Sequence, residues 1–225
     1  MIPIRDGIPT RKTPVVNYML ITANVLVFLW MSSMPESAME TLVNKFAMVP
    51  AHFADGVTLK DVMTIFTSMF MHAGWAHIGG NMLYLWIFGD NVEDRLGHFR
   101  YLIFYLVGGV VAALTHLATS WGSEQPVVGA SGAIAAVLGA YLLLYPGSRI
   151  ETFVPFGYFY RLTLIPAAVV LGFWFVLQLF DGVAALGGAD VGGVAVWAHI
   201  GGFVAGMVMV KLMPTDDRRE RVLSW

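Results

Sequence analysis

Six apolar runs, each close to the length a helix needs to cross a bilayer, constrain this chain more than any other feature. A spanning helix takes about 20 mostly apolar residues, and the runs lie at about 17–34, 72–91, 99–119, 127–146, 162–183 and 193–213. Only 12% of the 225 residues are charged while 57% are hydrophobic, and the mean hydropathy is +0.70. That leaves too little polar surface to coat such helices in water. The expected fold is all-α: a polytopic membrane protein with a six-helix transmembrane bundle over 17–213. A cytoplasmic leader, 1–16, and a cytoplasmic tail, 214–225, flank it.

Lys and Arg outside the runs set the orientation, because cytoplasmic segments keep an excess of positive charge. With the amino terminus inside, the inner side holds Arg5, Arg11, Lys12, Arg95, Arg100, Arg149, Arg161, Lys211, Arg218, Arg219 and Arg221, and the outer side only Lys45 and Lys60. Six spans with both termini cytoplasmic follow, and a bacterial cell membrane is the expected location. The formal net charge of -2 offers no basic excess for nucleic acid, so the lipid bilayer is the expected partner. With no cysteine, disulfides, thiolate metal sites and thiol nucleophiles are excluded. The long connection 35–71, with its apolar "VMTIFTSMFM", reads as helix or loop lying partly in the outer interface.

Polar groups inside apolar spans are costly and mark function unless they merely join helices. Three clusters qualify. "HAGWAHIGGN" opens the second run with His72, His77 and Asn81, of which His77 and Asn81, four apart, share a helix face. "GASGA" near the start of the fourth supplies Gly129, Ser131 and Gly132, where glycine lets other atoms approach a serine closely. "WAHIGGFVAG" in the sixth places His199, Gly202 and Gly206 on one face. Counting back at roughly 1.5 Å per residue from the inner ends puts these groups in one layer, on the order of 8–16 Å below the outer boundary.

A serine that attacks an amide needs a base for its proton and donors for the oxyanion. His199 can be the base, and the backbone amide of Ser131 with the side chains of His77 and Asn81 can hold the oxyanion. No carboxylate is placed to extend the pair; Asp181, near the outer end of the fifth run, is the one remote candidate and reads as a solvated helix end. The expectation is a Ser and His dyad with no metal or cofactor.

Over about residues 14–212 these motifs resemble the rhomboid family of intramembrane serine proteases. The likeness rests on His72, His77 and Asn81, on Gly129, Ser131 and Gly132, and on His199, Gly202 and Gly206. It implies that Ser131 and His199 are the catalytic pair, that His77 and Asn81 help form the oxyanion hole, and that His72 is structural or auxiliary. Glu93 and Gly97 in "EDRLG" resemble a structural family motif at the inner end of the second helix. The implied activity is cleavage of other transmembrane proteins near the outer face, with the fifth run and the Gly-rich loop 186–194 as the movable side that admits them. Two departures stand out: the first loop has no arginine for a family Trp and Arg pair, and Ala135 replaces an aromatic residue that stacks on the family's catalytic histidine.

Three rivals are weaker. A zinc protease using His72, His77 and His199 lacks HExxH and the four-residue spacing. A transporter lacks a repeat between halves and acidic residues through the spans. A catalytically inactive, client-binding rhomboid relative normally lacks the serine or the histidine, and both are present. Gly202 and Gly206 read as packing residues, and His52, His98 and His116, without a partner pattern, as surface or interfacial. The client, the cut site and the oligomeric state are not legible.

Overall fold

The computed structural model describes residues 1–54, 56–156, 159–188 and 194–214. Among the described residues six helices pack together as a bundle: α1 (Val15–Ser32), α4 (Trp75–Leu96), α5 (His98–Thr119), α6 (Ser131–Leu144), α7 (Ala167–Leu186) and α8 (Val196–Leu212). Each overlaps one of the six runs, and the protein is mostly helical. By length and apolarity α1, α5 and α7 can each cross a membrane, whereas α6 and α8 are shorter apolar helices. The tail beyond Pro214 and residues 189–193 of the Gly-rich loop lie outside the described residues.

Small residues put α6 at the centre. Its residues from Gly132 to Tyr141 are all buried. Side chains shrink to Gly or Ala wherever a neighbour crosses: a β-carbon on Gly202 would land on the Gly132 carbonyl, one on Gly206 on the Ala136 carbonyl, and one on Gly139 on the Phe203 carbonyl. In α5, Gly108 makes room for the Ala136 side chain, and Gly109 for Met69 and Ala133. Lipid tails are as apolar as leucine, so this close backbone packing, rather than apolar burial, holds such helices together.

The short link between α4 and α5 is Gly97, whose φ of +79° suits glycine and which caps both helices. One turn earlier, the buried Glu93 carboxylate accepts the backbone N–H groups of Val16 at 3.0 Å and Asn17 at 2.7 Å. The first turn of α1, begun by Pro14 without a capping side chain, thus receives its cap from another helix. Asn17, fully buried, donates to the Leu85 carbonyl and accepts from Tyr101, tying α1 to α4 and α5.

One region differs from the sequence reading, and a second, read as helix or loop, takes the helical form. Residues 162–166 do not open the fifth span; they belong to β3 (Phe159–Pro166), which pairs antiparallel with β2 (Arg149–Phe156), and β2 pairs with β1 (Ile2–Asp6) in the leader. The sheet buries Ile150 and Thr152 and leaves Tyr160, Leu162 and Leu164 exposed. The connection after α1 is ordered as α2 (Glu36–Phe46) and α3 (Leu59–Thr67), the latter opened by a Thr58 and Asp61 capping box. Without an arginine anchor, the connection is held by a two-way backbone pairing of Met48 with Val127, by Ala51 N–H to the Ser123 carbonyl at 2.9 Å, and by packing of Met48, Phe53, Ile65 and Met69 with Leu117.

Candidate active site

The N-terminal ends of α4, α6 and α8 meet around a cavity of about 920 Å³ whose wall includes His77, Asn81, His116, Ser131, Trp174 and His199. Ser131 is the first residue of α6. Its loop is pinned by Gly129 N–H donating to the Ser68 carbonyl at 2.9 Å. Gly129 itself has φ +135°, and a β-carbon there would come within 2.8 Å of His77 Nε2. Glycine is needed at that place for its backbone angle and for the approach of the imidazole.

Ser131 Oγ lies 2.7 Å from His199 Nε2. The close α6 and α8 packing creates this contact: Gly202, three residues after His199, seats against Gly132, next to Ser131. On the other side of the ring, His199 Nδ1 donates to Gln178 Oε1 at 2.6 Å. Trp174, one turn before Gln178, has its ring centroid 5.8 Å from that of His199, tilted by 38°. Ala135 is fully buried, and the aromatic neighbour absent from its position in α6 is supplied by α7 instead.

His77 and Asn81 both line the cavity, as their spacing predicts. Asn81 Nδ2 is buried with no hydrogen-bond partner among the described residues, an N–H donor waiting for an acceptor. His77 Nδ1 accepts the Ala73 N–H at 3.4 Å, which turns Nε2 toward the Gly129 side. His72 is buried and packs edge-on against His77 with centroids 5.1 Å apart, outside the cavity wall. Gly132, Gly202 and Gly206 serve helix contacts, and Glu93 caps α1 away from the cavity.

Three residues here were not singled out by sequence. Gln178 and Trp174 contact His199, and His116, expected at a surface or interface, stands half-buried on the cavity wall. His98 pairs with Glu93, and Asp181 is exposed.

A family profile described as the Rhomboid domain matches residues 59–215. The chain belongs to the rhomboid family. It is 33% identical over 180 residues to the human presenilin-associated rhomboid-like protein, mitochondrial, covering 77% of this chain and 45% of that protein. It is 30% identical over 189 residues to the rhomboid protease GluP of Bacillus subtilis, covering 84% and 35% respectively. With rhomboid protein 1, mitochondrial, of Saccharomyces cerevisiae it shares 31% identity over 191 residues, covering 80% and 52%. The chain thus spans about half or less of the length of these rhomboid relatives, which come from both bacterial and mitochondrial settings.

Proposed function

We propose that this rhomboid is an intramembrane serine endopeptidase that cleaves transmembrane proteins through a Ser131 and His199 dyad. The observation that carries the reading is the 2.7 Å contact between Ser131 Oγ and His199 Nε2 at the wall of a cavity inside an apolar bundle. Ser131 Oγ attacks the carbonyl carbon of the scissile amide and its proton passes to His199 Nε2. The tetrahedral oxyanion is held by the Ser131 N–H, by Asn81 Nδ2 and by His77. The C–N bond then breaks as His199 returns the proton to the leaving amine. A water molecule, deprotonated by His199, attacks the acyl ester, and the acid product leaves with the serine proton restored.

Helix length supports a buried site. The 14 residues of α6 rise about 21 Å, so from one boundary of a hydrocarbon layer about 30 Å thick the helix begins about 9 Å short of the other. Ser131 then lies below the outer boundary, within reach of a client helix that has unwound there. A tagged single-span reporter co-expressed with wild type, Ser131→Ala and His199→Ala tests this. Cleavage is expected in the wild type alone, and equal cleavage in all three overturns the mechanism.

A further inference from the structure

Two side chains one turn apart on α7 hold the ring of His199 from the side opposite Ser131. Gln178 Oε1 carries no proton, so at 2.6 Å it can only accept, and the hydrogen must sit on His199 Nδ1. That leaves the Nε2 lone pair bare and aimed at Ser131 Oγ, 2.7 Å away. Trp174 limits rotation of the ring from the same helix. Yet α7 is the spanning helix least buried in the bundle, with only 17% of its apolar window covered. It is seated on α8 chiefly by Phe175 stacked on Phe203 at 4.5 Å and by Gly182 against Trp197 and Ile200.

We infer that Gln178 is a positioning residue: seconded by Trp174, it fixes the His199 tautomer that can take the Ser131 proton, so that the base is armed only while α7 is seated against α8. The inference rests on the Ser131 and His199 reading above. It gives this chain a neutral third member of the site, delivered by a different helix from those that carry the reacting groups. A carboxamide suits the place because it orients an imidazole without bringing a further charge into the bilayer. Nothing in it requires a metal or a second chain. Displacing α7 would break the Gln178 contact and the Trp174 packing together, since both side chains ride on one helix turn.

The test uses the full chain in micelles with ring-¹⁵N histidine, assigned against His199→Ala, at a pH where the ring is neutral. Wild type is expected to carry the proton on Nδ1, and Gln178→Leu to shift the ring toward the other tautomer. In the same preparations, Gln178→Leu is expected to lower kcat and the rate of fluorophosphonate labelling of Ser131 by roughly 100-fold, with KM within about twofold of wild type. Gln178→Glu, which keeps an acceptor at the same place, should retain most of the lost rate, and Phe180→Ala on the exposed face of α7 should be unchanged. A proton on Nε2 in wild type, or a leucine variant within about twofold of wild type in both rates, overturns the inference. If wild type neither cleaves nor labels, the dyad reading fails, while the tautomer still decides whether Gln178 orients the ring.

Discussion

The α-carbon of Gly202 sits against the carbonyl oxygen of Gly132, with no room for a β-carbon between them. Three residues before Gly202 is His199, and one before Gly132 is Ser131, so this glycine sets how far apart Ser131 Oγ and His199 Nε2 stand. Gly202→Ala is expected to push α8 away from α6, cost about 1–3 kcal/mol of stability, and slow Ser131 labelling although no reacting group is altered. Gly79→Ala, where nothing lies within 4 Å, should leave both unchanged or gain slightly from helix propensity. Thermal melts and fluorophosphonate labelling in detergent check the pair.

Asn81 offers the clearest separation of binding from chemistry. Under the proposed mechanism its buried, unpartnered Nδ2 gains its acceptor when the oxyanion forms. Asn81→Ala is expected to lower kcat by about 10²–10³-fold with little change in KM, measured on a reconstituted reporter. A raised KM at constant kcat would mean that Asn81 binds the ground state equally well.

Glu93 predicts the opposite pattern. Glu93→Ala strips the first turn of α1 of both acceptors and is expected to destabilise the fold by about 1–3 kcal/mol. The labelling rate of the molecules that remain folded should match wild type. Denaturant unfolding and labelling at low temperature separate the two effects.

The Thr58 and Asp61 box gives a pH dependence outside the spans. Hydrogen bonds from the Thr58 side chain and then its backbone N–H hold the Asp61 carboxyl below its usual value. A group with a depressed folded pKa stabilises above its unfolded value, about 3.9, and loses that contribution as pH falls through the folded one. Amide protection in the first turn of α3, corrected for intrinsic exchange, should therefore be flat above about pH 5 and decline in acid. In Asp61→Asn the decline should vanish.

The helical frame was legible because apolar runs of bilayer length have few other uses, and the clusters around His77, Ser131 and His199 because polar groups are rare in such runs. The sheet was harder to see. Leu162, Leu164 and Ile165 are apolar and lead through Pro166 into α7, so hydropathy merges them with the span, although the β-branched Ile150, Thr152 and Val154 favour a strand. Gln178 went unnoticed for a chemical reason. A carboxylate is the usual third group beside such a pair, and the one in this run is the exposed Asp181, whereas a lone amide in "WFVLQLF" is itself an anomaly in a lipid-spanning run. Trp174 was hidden because ring stacking depends on which helix lies opposite His199, and single-chain spacing holds no such information.

The brevity of α6 has a consequence for supply. A hydrolytic step consumes water, and hydrocarbon holds almost none. A central helix of 14 residues falls about a third short of the hydrocarbon thickness, and at its start lies the cavity of about 920 Å³, lined by enough polar groups to take water. Under the proposed mechanism the short helix would therefore act as a cistern: by ending early it leaves room, within the oil, for the second reactant beside the His199 that would activate it.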